Sequence, residues 1–249
     1  MMEFCDSNET NGVAGDLKAP PENRLIVFVK NPVRGAVKTR LAKTIGDKAA
    51  VDLYRCFVSD ILATVRKTGY PALAFFHPPE ARGAVENWIG GDIVCVPQKG
   101  NDLGQRMLDA FQNVWVQSSR AVLIGSDCPD LPPAFLHEAF DALKTRGAVL
   151  GPARDGGYYL IGFSSGGFLP EAFRGIEWSG SNVFEATMRT FREKGADVHV
   201  LPLWSDIDEF PDLADVCDRQ RDLPPGRLKT IDYLRNTFHW RHHDRELRK

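Results

Sequence analysis

Residues 25–29, LIVFV, form an unbroken β-branched and aromatic run, the pattern of a strand covered on both faces. In the following DKAAVDLYRCFVSDILATVRK, the apolar positions Val51, Tyr54, Phe57, Val58, Ile61, Leu62 and Val65 recur at steps of three and four. That spacing predicts a helix packed inward along one stripe. The alternation continues with ALAFF (72–76), a short helix near 80–89, IVCV (93–96), a helix over about 103–118, and AVLIG (121–125). A helix near 133–145, the short strand AVLG, YYLIGF (158–163), a helix from Asn182 to Lys194 and the strand segment DVHVLPL complete it. Strands and helices taken by turns predict an α/β protein, a single-domain Rossmann-like αβα sandwich with a mostly parallel sheet. No internal repeat and no linker interrupts the rhythm.

Composition narrows the ligand. With 249 residues, 43% hydrophobic and 26% charged, the chain can bury a large core. A formal net charge of -2 gives no overall attraction to nucleic acid or an anionic membrane, so a phosphorylated ligand needs a local basic cluster. A small-molecule substrate is expected. The cysteines at 5, 56, 95, 128 and 217 form no metal-type cluster and read as reduced thiols of a cytoplasmic protein. No apolar run has membrane-spanning length. Residues 1–23 are expected to be a disordered leader, 24–222 the folded domain, and 223–249 a basic C-terminal helical tail with one sticky face. His242 and His243 are adjacent there, a poor geometry for holding a metal on a helix.

Four polar clusters follow strands, where a doubly wound sheet places its ligand crevice. In KNPVRGAVKTRLAKTIG, Lys30, Arg34, Lys38, Arg40 and Lys43 lie within fourteen residues, with Pro32 and Gly35 bending the backbone. Such a loop either gathers cations and N–H groups around phosphate or is simply a charged surface loop. The spacing is neither that of a P-loop nor that of a dinucleotide fingerprint. In PQKGNDLGQRM, Gly100 and Gly104 permit close backbone approach, and Gln98 and Asp102 could bond a base or ribose; alternatively Asn101-Asp102 caps the next helix.

In VLIGSDCPDLPP, Asp127 sits two residues beyond a buried strand and Pro129 stops the strand from continuing, which turns the carboxylate toward the crevice. A hard divalent ion takes one or two carboxylates plus phosphate oxygens, and Asp127 could supply one while Asp130 shapes the turn. GPARDGGYYLIGF and WSDIDEFPDL form the fourth cluster, with Asp155 in a glycine-flanked turn and Asp206, Asp208 and Glu209 after a strand. These acids either complete a metal site or cap a solvated turn. Cys128, beside two aspartates, lies in the wrong field for a thiolate nucleophile.

In order, FVKNPVRGAVKTRLAKTIG, QKGNDLGQRM, IGSDCPDLP, GPARDGGYYLIGF and DIDEFPDL resemble the motifs of a bacterial family of unknown function in the glycosyltransferase-A superfamily, over residues 24–220. The resemblance implies the nucleotide-diphospho-sugar transferase fold, a nucleotide and a divalent cation, Mg²⁺ or Mn²⁺. Asp127 stands where the superfamily places its metal-binding aspartate, although the usual Asp-x-Asp is Asp-x-x-Asp here. DIDEFPDL is similar to the D-x-D-x-P-x-D-L ending of related nucleotidyltransferases, with Phe210 inserted before the proline. That similarity makes Asp208 the second metal ligand, with Asp206 behind it. The basic loop resembles the phosphate loop of molybdenum-cofactor and phospholactate guanylyltransferases.

The resulting expectation is a metal-dependent transferase using a nucleotide-diphospho-sugar donor and a small-molecule acceptor. Lys30, Arg34, Lys38 and Arg40 would hold phosphate, and Gln98 and Asp102 the nucleoside. Asp127 and Asp208 would hold the metal, and Asp155 would contact the sugar or act as base. Gly156, Gly157, Tyr158 and Trp178, with Ser179, would line the substrate side, though Trp178 could equally be core. A guanylyltransferase-like nucleotidyltransferase, which joins a nucleoside triphosphate to a phosphorylated substrate and releases pyrophosphate, needs the same crevice charges and is the alternative. A non-catalytic nucleotide sensor is a third reading.

Overall fold

The run LIVFV becomes the interior of β1 (Asn23–Lys30), and its side chains divide between two cores as strand periodicity demands. Leu25, Val27 and Val29 point to one face of the sheet, and Ile26 and Phe28 to the other. The computed structural model describes residues 21–222 and 224–238. Most of the leader, together with His242 and His243, lies outside the described residues.

β1 pairs in parallel with β2 (Ala72–His77) on one side and β4 (Arg120–Ile124) on the other. With β3 (Val94–Pro97), β5 (Ala148–Pro152), β6 (Tyr158–Ser164) and β7 (Val198–Val200), they form a seven-stranded sheet of order β3-β2-β1-β4-β6-β5-β7. Only β6 runs antiparallel to its neighbours β4 and β5. Residues 153–157 are all that connect β5 to β6, enough for a hairpin and too few for the crossover a parallel pair needs.

Helices cover both faces. α1 (Thr39–Ile45), α2 (Asp47–Thr68), α3 (Arg82–Ile89), α5 (Pro133–Ala142), α7 (Phe210–Arg219) and α8 (Lys229–Thr237) contribute to one core. α4 (Leu103–Val114) and α6 (Val183–Glu193) pack into the other, around Phe111, Phe163 and Phe191. The result is the expected αβα sandwich around a mostly parallel sheet. No helix among the described residues is long and apolar enough to cross a membrane.

Two expectations shift. The segment DVHVLPL supplies only three strand residues, because Pro202 has no N–H for the ladder and Leu203 is exposed. The helix expected to reach 118 ends at Val114. In the C-terminal segment, one face of α8 packs against the domain. Ile231 and Leu234 of α8 are buried in the core shared with α2, and the Asp60 carboxylate of α2 accepts the backbone N–H groups of Lys229 and Thr230, both at 2.8 Å. A buried acid thus caps a helix distant in sequence.

Candidate active site

β1 and β4 are adjacent, yet the chain leaves β1 toward β2 and reaches β4 only later, so the strand order reverses between them. A crevice opens off their carboxyl ends at that reversal, as in other doubly wound sheets. The loop 31–38 leaves β1 through tight turns, with Val33 N–H bonded to Asn31 O and Ala36 N–H to Val33 O. It ends at Lys38, the residue before α1, whose φ of 48° and ψ of 45° are left-handed. Among the described residues Lys38 is the one non-glycine with positive φ, a conformation costing about 1–2 kcal/mol.

That backbone turn sends the Lys38 side chain inward, where it is 5% exposed. Its Nζ lies 2.5 Å from Asp127 Oδ1 and 2.8 Å from Asp208 Oδ1. Burial alone would discharge the ammonium, but the two carboxylates outweigh it and raise its pKa above the ordinary lysine value. Burial likewise works against the Asp208 carboxylate, and Lys38 overrides it, holding the pKa below the ordinary aspartate value.

Beside this bridge lie Asp155, Asp206 and Asp208, whose ligand oxygens all fall within 4.8 Å of one another. Asp206 forms no ion pair among the described residues, although Lys38 is near enough to act on it. Its burial, with Asp155 and Asp208 close by, pushes its pKa up to about 7. Asp155 is held in a side-chain turn, Oδ1 accepting the Gly157 N–H at 2.8 Å. The turn requires Gly156, whose φ is +89° and where a Cβ would overlap the Ser181 carbonyl oxygen. Phe184 N–H donates to Gly156 O, tying the turn to the start of α6.

The crevice has two lobes. The larger, about 400 Å³, is lined by the cations Lys30, Lys38, Arg40 and Arg106 and by Tyr54, Ser126 and Asp208. Tyr54 Oη accepts the Lys30 backbone N–H at 2.8 Å and lies 3.0 Å from Ser126 Oγ, which fixes the rim of β1 to that of β4. Burial, then Asp127, pushes the Tyr54 phenol up to about 12, so it stays protonated. The smaller lobe, about 220 Å³, is lined by Asp155, Asp206, Gly157, Trp178 and Val183. Leu103, Asp127, Tyr158 and Tyr159 line both.

The expected site residues therefore separate. Lys30, Lys38, Arg40, Asp127, Asp155, Gly157, Tyr158, Trp178 and Asp208 line the crevice, whereas exposed Arg34 does not. Gln98 lines it but is buried, with an amide N–H committed to Phe75 O at 2.8 Å. Asp102 accepts the Gln105 N–H at 2.8 Å as the cap of α4 and is not on the cavity wall. Gly104 admits protein rather than ligand: a Cβ there would overlap Phe173 O and come within 2.6 Å of the Trp178 indole.

Asp127 is the close partner of Lys38, and the mutually close carboxylates are Asp155, Asp206 and Asp208. Asp130 does more than shape a turn. Its fully buried carboxylate takes Arg219 Nε at 2.9 Å, with Gln220 and Trp204 also donating, and clamps α7 to the β4 loop. Tyr54, Ser126 and Arg106 were not expected. Tyr54 sits on the apolar stripe of α2 and reads as core, while Arg106, one turn into α4, carries no local signal.

Residues 61–180 match the family profile described as "Uncharacterized protein conserved in bacteria (DUF2064)". No curated protein matches the sequence. A solved protein from Desulfovibrio desulfuricans G20, provisionally named a nucleotide-diphospho-sugar transferase, is 35% identical, with a TM-score of 0.84 over 88% of this chain and 96% of that one. A nucleotidyl transferase from Methanothermobacter shares the fold at 13% identity and a TM-score of 0.57, over 82% and 99% of the two chains. Rv0371c from Mycobacterium tuberculosis H37Rv, solved in complex with manganese, shares it at 16% identity and a TM-score of 0.51, over 79% and 98%.

Proposed function

The chain belongs to the bacterial DUF2064 family, and from that premise we propose that it is a metal-dependent transferase that moves a glycosyl group from a nucleotide-diphospho-sugar to a small-molecule acceptor. The observation that carries this reading is the opposition of charge across one crevice. Lys30, Lys38, Arg40 and Arg106 line the larger lobe, and Asp155, Asp206 and Asp208 gather where it meets the smaller one.

A divalent cation fits these residues. Oxygens within 4.8 Å of one another span the distances between ligands of one six-coordinate Mg²⁺ or Mn²⁺, and hard carboxylate oxygens suit both ions. The pKa of Asp206, pushed up to about 7, marks negative charge that the protein leaves uncompensated. Asp155, Asp206 and Asp208 would hold the ion, which when bound supplies positive charge against the diphosphate. The Rv0371c relation supports manganese as a candidate without separating it from magnesium.

The chain's own groups account for the remaining chemistry. Lys30, Arg40 and Arg106 neutralise the diphosphate in the larger lobe, and Lys38 reaches it from between Asp127 and Asp208. An acceptor oxygen forms its bond to the anomeric carbon while the bond from that carbon to the β-phosphate oxygen breaks, and the nucleoside diphosphate leaves with the electron pair. The acceptor proton passes to the Asp155 carboxylate oxygen that would not be taken by the ion, and the Gly157 N–H orients that carboxylate.

A thermal-shift panel of nucleotides against Mg²⁺, Mn²⁺ and chelator tests the binding half of the reading. Stabilisation by a nucleoside diphosphate that needs a divalent ion and is lost in Asp208→Asn is expected. Stabilisation that is indifferent to metal and to Asp208 would overturn it.

A further inference from the structure

The two lobes differ in a way that bears on the acceptor. The larger is lined by four cations, whereas no described residue lining the smaller is Lys, Arg or His. Asp127, Asp155 and Asp206 line it instead. Its other wall is apolar. Trp178 packs edge-on against Tyr158 at 6.4 Å between ring centroids, and its indole is seated where Gly104 has no side chain. Leu103, 42% exposed despite its size, lies on the ridge shared by the two lobes. A fixed half-buried indole beside an exposed leucine makes an apolar platform facing three acids.

We propose that the smaller lobe is the acceptor subsite and that it selects an uncharged hydroxyl compound whose ring has an apolar face, seated on Trp178 with the hydroxyl toward Asp155, while rejecting phosphorylated acceptors. This rests on the donor reading above for the assignment of the larger lobe. A phosphate monoester brings about -1.5 to -2 charges at neutral pH. In the smaller lobe it would meet carboxylates and no side-chain cation, a repulsion that a shielded cleft magnifies. A cation at Asp155, Asp206 and Asp208 offsets only part of that charge. An uncharged ring meets no such penalty, gains apolar contact, and offers a hydroxyl to an oriented carboxylate. The nucleotidyl-transfer alternative, which needs a phosphate to attack from this side, is therefore disfavoured by the same wall.

The test uses the full chain with Mn²⁺ and a nucleoside diphosphate. Methyl glucoside and benzyl alcohol are titrated beside their phosphate monoesters, with binding followed by ligand-observed saturation-transfer NMR and nucleotide affinity measured separately by calorimetry. At least one uncharged compound is expected to bind about tenfold or more tightly than its phosphate ester. The glucoside and the alcohol distinguish a sugar ring from an aromatic one. Trp178→Ala should abolish that binding and Trp178→Phe restore part of it, with nucleotide affinity kept within about twofold in both variants. Phosphate esters binding as tightly as their parents, or neither class binding, would overturn the proposal. If the nucleoside diphosphate does not bind while the preference for uncharged rings persists, the donor reading falls and only the selectivity of the smaller lobe stands.

Discussion

Lys38 and Asp127 meet at 2.5 Å, and the same ammonium reaches Asp208 at 2.8 Å, so one buried cation joins the tips of two chain segments 81 residues apart. Lys38 thus occupies a position between carboxylates that resembles that of a metal ion. Replacing it with Met should free negative charge at Asp208 while removing a phosphate contact. Calorimetry should then find Mn²⁺ bound more tightly and nucleoside diphosphate more weakly, with a stability loss of about 1–3 kcal/mol from the unpaired acids. Parallel weakening of both ligands would show that Lys38 only supports the fold.

A pH dependence follows from Asp206. Its folded pKa of about 7 lies above the ordinary 3.8, so the native state holds the proton more tightly than the unfolded chain does. The contribution of this group is therefore most favourable below the ordinary value and is lost as pH rises toward 7. In chelator, denaturation midpoints of wild type relative to Asp206→Asn should fall from about pH 4 to pH 7 and then level off. Saturating Mn²⁺, which favours the charged carboxylate, should flatten or reverse that difference. A difference independent of pH in chelator would refute the assigned proton.

Gly156→Ala should damage the small lobe specifically. The residue needs φ of +89°, and a Cβ there overlaps Ser181 O. Strain and displacement together should cost about 2–4 kcal/mol by urea denaturation. The segment carrying Trp178 should loosen, which increased hydrogen exchange over 178–184 would report. Unchanged exchange there would contradict the tie between this turn and that segment.

Two aspartates near the crevice should behave as structural groups. Asp130→Ala leaves Arg219 without its buried partner and should cost about 3–5 kcal/mol. Asp102→Ala removes a helix cap and should cost about 1 kcal/mol. Below their melting temperatures both variants should bind nucleotide with wild-type affinity, measured by calorimetry. A large loss in Asp102→Ala would restore its reading as a nucleoside contact.

The sequence conveyed the strands and helices because their periodicities are local. LIVFV is buried on both faces, and the stripe from Val51 to Val65 lies inward. The direction of β6 was legible only in the shortness of the 153–157 connection. At the site, Asp155, Asp208 and the cations beyond β1 were visible because polar groups at strand ends are unusual. Which acid pairs with which cation was not, since Lys38 depends on a single left-handed backbone turn and on partners 89 and 170 residues away in the chain. Asp102 shows the converse. A cap and a ligand contact look alike in sequence, and the bond to the Gln105 N–H establishes the cap.

Transfer itself is tested most directly by following both possible leaving groups in one assay. The protein is incubated with Mn²⁺, a panel of nucleotide-diphospho-sugars and, separately, nucleoside triphosphates, each with uncharged and phosphorylated acceptors, and products are resolved by mass spectrometry. Release of nucleoside diphosphate from a nucleotide sugar, matched by a glycosylated uncharged acceptor and lost in Asp155→Asn and Asp208→Asn, is the expected result. Pyrophosphate released from a triphosphate, with a nucleotidylated phosphate acceptor, would contradict it.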